Sequence, residues 1–285
     1  MLTTARQRLG QALFLRVAGP DGDKHRDRIH SRPGPRWFEP DSVIVQVHSD
    51  ASMFIGGFRA LLLQTLHPAA MRAVSEHSGY RGDMWGRLNR TSHFLAVTTF
   101  GTATDAEAAV TMVRSIHERV TGTMPDGTPY AASDPHLLKW VHVAEVDSFL
   151  RAYTVYGKGT LDQDQRDRYV AETSVVARKL GVLDPPMDEA ELVQALADFR
   201  PELHGTPEAR EAVSYLLFRP PLPLVARAPY GVLVAAGVAL MPGWTRRPLR
   251  LPWLPVSERP VVRALGALAP GTIRWALTPP VDEVG

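Results

Sequence analysis

Arg87 and Thr91 stand four residues apart in RLNRTSHFLAVTTFG, and His117 follows in TDAEAAVTMVRSIHERVTG. A guanidinium can hold an anionic group, a hydroxyl can donate to a small ligand, and an imidazole can ligate a metal. At helical spacing Arg87, Arg90, Thr91 and Phe94 share one face. That face has two readings. Either it is a solvated arginine surface with Thr91 incidental, or Arg87 pairs with a propionate or distal polar group while Thr91 donates near bound oxygen. His117 also has two. An imidazole on an apolar face is costly unless partnered, so it is a core histidine bonded to a carbonyl or the axial ligand of a haem iron.

The chain holds ten histidines, and no pair has the HExxH spacing of a zinc peptidase or the ExxH spacing of a di-iron bundle. No GxSxG, Walker or GxGxxG motif stands at a strand-to-helix junction. His67 before Pro68 reads as a helix-capping or core residue, and His142 in KWVHVAEV as a buried, hydrogen-bonded one. Glu76, beside His77, is a general base if it lines a pocket and a surface carboxylate if it does not. A non-haem metal site built from His67, His117 and His142 is a further possibility, with no spacing behind it.

The elements that must position these residues are almost all helical. Asp50–Leu66 is apolar on nearly every side, as in a buried helix. Pro68 opens the next helix, running to His77. Thr104–Glu107 is a capping-box pattern for the helix that carries His117, with Gly122 as its stop. On that helix Val113, Ile116, His117 and Val120 fall in roughly a 100° arc. Asp134-Pro135 starts a helix to about Tyr156, and Thr160–Gln163 a second capping box for a helix to Lys179, with Gly181 after it. Beyond Pro201 prolines recur every few residues, which predicts short helices such as Glu208–Leu217 and Val261–Leu268 joined by rigid loops.

Composition narrows the function classes. Of 285 residues, 45% are hydrophobic and 22% charged, which suits a globular core able to enclose a small molecule. The net charge is only +2 and no basic run occurs, so nucleic-acid binding has no support. With no cysteine, disulfides, thiolate catalysis and iron–sulfur ligation are excluded. The apolar run Tyr230–Pro242 falls short of the ~20 residues a bilayer span needs. Around Tyr230–Trp244, surface contact with a membrane through Arg246 and Arg247 competes with a core helix followed by a solvated basic turn. The N-terminal Ala12–Val17 patch is too short for a signal peptide, so a cytoplasmic location is expected.

The order of ALLLQTLHP, RLNRT, an FGT turn, a V-x-x-x-H-x-x-V-x-G helix, YAASDPHLLKWVH and RYVAETSVVARKLGV resembles the DUF2236 family. That family includes the rubber oxygenase (latex clearing protein) catalytic domain and the MpaB-type oxygenases. The resemblance covers roughly Arg36 to Arg250, leaving residues 1–35 as an N-terminal extension and 251–285 as a C-terminal segment packed on the same domain. It implies an all-α fold with a globin-like core around a b-type haem, His117 as the proximal iron ligand, and Arg87, Thr91 and Phe94 at the pocket with His67 and His142 nearby. Rubber oxygenases carry a lysine before the threonine, where this chain has Arg90, which cannot ligate iron. The implied activity is oxygenation or oxidative cleavage of a small hydrophobic, isoprenoid-like or secondary-metabolite substrate with dioxygen. A non-catalytic haem or hydrophobic-ligand binding protein is the alternative. Rubber itself is not the expected substrate, because rubber oxygenases are secreted.

Overall fold

The computed structural model describes residues 19–79, 82–251 and 270–271, and within them the chain is all-α apart from one two-stranded hairpin. The helices run α1 (Gly22–Ser31), α2 (Val43–His48), α3 (Met53–Gln64), α4 (Pro68–His77), α5 (Met84–Phe100) and α6 (Ala103–Arg119). Strands β1 (Thr121–Thr123) and β2 (Pro129–Ala131) pair antiparallel, with Gly122 opposite Tyr130. Then come α7 (Pro135–Tyr156), α8 (Gln163–Leu180), α9 (Glu189–Asp198), a 3-10 turn (Arg200–Glu202), α10 (Pro207–Phe218), α11 (Leu224–Ala239) and α12 (Gly243–Arg246).

α7 is the axis of the fold because it is apolar on several sides, as a fully enclosed helix must be. One side, through Trp140 and Ala144, joins Phe58, Leu62 and Leu63 of α3 with Val213 of α10 and Val234 and Val238 of α11. The other, through Val143, Val146, Phe149 and Leu150, joins Ile44 and Val47 of α2, Tyr169 and Val170 of α8 and Leu192 of α9. Each such large side chain, removed from water, contributes roughly 1.5–3 kcal/mol. Gly56 lets α3 and α7 approach closely: a Cβ there would stand 2.7 Å from Phe149 Cδ1 and 3.1 Å from Phe149 Cα.

One charge lies in that seam. Arg59, read in the sequence as part of an apolar helix, is 2% exposed. Its guanidinium stands 2.6 Å from Asp147 Oδ2, donates to Ser148 Oγ at 2.7 Å, and its Nε donates to the Leu240 carbonyl at 2.9 Å. Buried charges persist only when paired and hydrogen-bonded in this way.

The local signals explain most helix ends. Pro68 and Pro135 occupy first-turn positions, Asp134 accepts from the His136 N–H, and Gly181 closes α8 with a left-handed φ of 115°. Two starts differ from the sequence reading. α6 is capped by Thr102, not Thr104, and α8 by Asp162, which forms a full capping box with Gln165. α6 also ends at Arg119, and Gly122 lies in β1. Ile116 is 44% exposed and leaves the inward arc assigned to it, while Ala106 and Val110 are buried. Arg246 is buried and donates to the Val238 carbonyl at 2.9 Å, so the expected solvated turn retains only Arg247 on the surface. Pro229 lies inside α11, on an exposed face, rather than ending it. Among the described residues no helix is long and apolar enough to cross a membrane. The Ala12–Val17 patch and the expected Val261–Leu268 helix lie outside the described residues.

Candidate functional site

α5 and α6 form a helical hairpin joined at Gly101 and Thr102. Arg36 fixes the joint: it forms a bridge with Thr102, and its Nη1 donates to the carbonyls of Phe100 and, at 3.2 Å, Ile29. Arg87 precedes the joint and His117 follows it by nearly equal lengths, about 20 Å of helix each at ~1.5 Å per residue. Both therefore belong to the far end of the hairpin, where side-chain contacts hold the segments close to each of them. Arg87, half-buried, donates to Ser78 Oγ at 2.9 Å. Two residues before Ser78, Glu76 accepts from the Tyr130 hydroxyl and pairs with Arg72 at 2.6 Å. Tyr130 also stands 3.3 Å from His77 Nε2. Gly122, five residues after His117, passes beneath Tyr130 so closely that a Cβ would stand 2.4 Å from its Oη. Glu76 is thus a bonded carboxylate, and burial and its partner Glu76 push the Tyr130 hydroxyl up to about 12.

His117 lines a cleft of about 390 Å³ between α6, the β2–α7 connection and the end of α8. Pro135, Leu180 and Val182 form its apolar wall, and Arg114 and Arg178 its cationic one. Arg114 donates to the Lys179 carbonyl at 3.2 Å and Arg178 to Met187 Sδ at 3.0 Å, which steadies both. The His117 Nδ1 is buried with no hydrogen-bond partner among the described residues, and desolvation lowers the pKa of the ring. A neutral imidazole with an unsatisfied nitrogen has the donor chemistry of an axial haem ligand, and guanidinium groups suit haem propionates. His117, Arg114 and Arg178 are therefore the residues here whose chemistry would suit a b-type haem, with the Glu118 carboxylate also lining the cleft.

The remaining predicted residues are dispersed. Thr91 and Arg90 are exposed on α5, and Arg90 pairs at 3.1 Å with Asp83, the cap of its own helix. Phe94 is half-buried one turn further on. His142, expected to be hydrogen-bonded, has a buried Nε2 with no partner, and burial pushes it down to about 4. On the same face of α7, burial pushes Glu145 up to about 7. Deeper still, His48 lies 2.8 Å from Thr99 Oγ1 through Nδ1 and 3.2 Å from the Tyr169 hydroxyl through Nε2. Burial pushes its pKa down to about 3. Sequence reasoning passed over His48, Glu145 and Tyr169, although histidine and glutamate in otherwise apolar runs were a signal. His67 lies elsewhere, at the α3–α4 turn, grouped with His136 and Glu202.

A family model described as ER-bound oxygenase mpaB/B'/Rubber oxygenase, catalytic domain, matches residues 45–270. No curated protein and no solved structure matches the chain. With most of its length covered by that one model, and with an all-α architecture, the chain belongs to the mpaB/rubber oxygenase catalytic-domain family.

Proposed function

We propose that this protein is a haem-b-dependent oxygenase that uses dioxygen to oxygenate or oxidatively cleave a small hydrophobic, alkene-bearing molecule, and that His117 is the residue that would hold the haem iron. The family match over residues 45–270 carries the oxygenase reading. The haem reading is supported by the orphaned, desolvated imidazole of His117 beside Arg114 and Arg178. When bound, a ferrous haem supplies dioxygen binding and activation.

The chain's own residues position and insulate that chemistry. His117, kept neutral by desolvation, would hold the group from α6, and Arg114 and Arg178 would pair with its acidic substituents. Thr91, Phe94 and Arg87, which Ser78 steadies, lie on α5 outside the lining of the His117 cleft, so a role for them at the group would need α5 to present them to substrate from another side. His142 adds a second neutral imidazole in the interior. Arg90 cannot ligate iron because a guanidinium stays protonated, so a lysine-capped resting state is not available to this chain. His67 is grouped instead with His136 and Glu202.

The test is an absorption spectrum of the purified protein before and after dithionite, with His117→Ala beside it. The wild type should show a Soret band that the variant loses while keeping its helical circular dichroism. Colourless wild type that haem cannot reconstitute would overturn the haem assignment. Oxygen uptake across terpenoid and polyketide alkenes then separates an oxygenase from a haem-binding protein, which would show none.

A further inference from the structure

His67, His136 and Glu202 come from three separate parts of the chain, and their ligand atoms all lie within 4.8 Å of one another. His67 sits in the turn between α3 and α4, fixed by Pro68 behind it. His136 occupies the first turn of α7, and its backbone N–H donates to the Asp134 cap at 2.9 Å. Glu202 ends the 3-10 turn after α9. The His204 N–H donates to the Leu66 carbonyl at 2.7 Å and so clamps the Glu202 segment to the residue before His67. Phe199 packs against His136 at a centroid distance of 4.7 Å and against Trp140 at 5.3 Å, which limits the imidazole's freedom. Backbone and packing therefore bring the three segments together, and the His136–Glu202 pair adds to them.

An ion-pair cluster alone leaves one fact unexplained. His67 is 8% exposed, and among the described residues neither of its ring nitrogens has a hydrogen-bond partner. Its Nε2 faces Glu202 Oε2 across 3.6 Å, too long for a hydrogen bond. The same carboxylate oxygen lies 2.8 Å from His136 Nε2. A buried imidazole left unsatisfied is a desolvation loss that a partner between these atoms would remove.

We propose that His67, His136 and Glu202 bind one divalent transition-metal ion of the zinc class, at a site separate from the His117 cleft. Two imidazoles and one carboxylate suit zinc and its neighbours, whereas calcium and magnesium prefer all-oxygen sites. Metal–nitrogen and metal–oxygen bonds of about 2.0–2.2 Å place adjacent donors roughly 3–3.5 Å apart. The present spacings, 2.8 Å between His136 and Glu202 and 3.6 Å between His67 and Glu202, lie on either side of that range, so a small adjustment of the exposed His136 and Glu202 side chains reaches it. Solvent completes the coordination from their side. The ion would tie the α3–α4 turn, the start of α7 and the turn after α9 together. The assignment does not rest on the oxygenase reading.

The test uses the full chain, with any affinity tag removed and with chelator pretreatment, titrated with zinc chloride by calorimetry. Cobalt(II) follows as a spectroscopic probe of the coordination. The expected result is one ion per chain, a higher melting temperature with zinc, and a cobalt ligand-field band. His136→Gln and Glu202→Gln, both surface changes, should each weaken binding roughly tenfold or more and abolish the band, with helical circular dichroism unchanged. His67→Ala should do the same. Absence of saturable binding in the wild type overturns the site. So does zinc binding that is unchanged in both surface variants, because the ion would then be held by other histidines. Haem content plays no part in either readout, so failure here and failure at His117 are distinguishable.

Discussion

Replacing Glu145 with Gln should change how stability depends on pH, by an amount that follows from its burial. Its carboxyl sits on α7 between the buried Ala144 and Val146, and burial pushes it from 4.5 to about 7. Below pH 4.5 the group is protonated in folded and unfolded chains alike and makes no difference to stability. Above it the unfolded chain ionises while the folded one resists, so stability falls with rising pH until about pH 7. At about 1.36 kcal/mol per unit, a rise of about 2.5 units corresponds to a loss of roughly 3 kcal/mol. Glu145→Gln keeps the shape and removes the ionisation. Its stability relative to wild type should therefore be near zero at about pH 4.5 and climb to roughly 3 kcal/mol by about pH 8. Urea unfolding of both proteins across that range measures the difference. The interior histidines act in the opposite sense: with pKa values pushed down to about 3 for His48 and about 4 for His142, they lower stability as pH drops below 6.5. That contribution is common to both proteins and cancels. A difference that stays flat within about 0.5 kcal/mol over the whole range would refute the reasoning.

Two further outcomes are expected. Arg59→Met strands Asp147 in the α3–α7 seam and should lower unfolding stability by about 3–5 kcal/mol. Adding Asp147→Leu should recover part of that loss, as measured by denaturant midpoints. Gly122→Ala places a methyl within 2.4 Å of Tyr130 Oη and should destabilise by about 1–3 kcal/mol. Spectroscopic titration should then show the tyrosine moving from about 12 toward 10 as it leaves Glu76 and its buried position.

Helix identity was written locally. Pro68, Asp134-Pro135 and Gly181 mark ends that depend on φ restriction, side-chain capping and glycine's left-handed freedom, all of which act within a turn. Register at ambiguous caps was not. Thr102 and Thr104 each stand three residues before an acid, and the choice fell to Thr102 because Arg36 bridges to it while Arg28 and Arg32 hold Asp105 at 3.0 and 2.5 Å. Ile116 shows the same limit: an apolar side chain on an inward-looking arc is 44% exposed, because coverage is decided by how helices pack and not by spacing along α6.

The chemistry divides along the same line. By itself the sequence determined an all-α chain and the family to which its ordered motifs belong, since periodicity and motif order are properties of neighbouring residues. Only the tertiary structure decided that Arg59 is a buried ion, that Glu76 answers Tyr130, and that His67 meets His136 and Glu202. Those pairings join residues from distant segments. Their partners are chosen by helix packing, and no spacing along the chain encodes them.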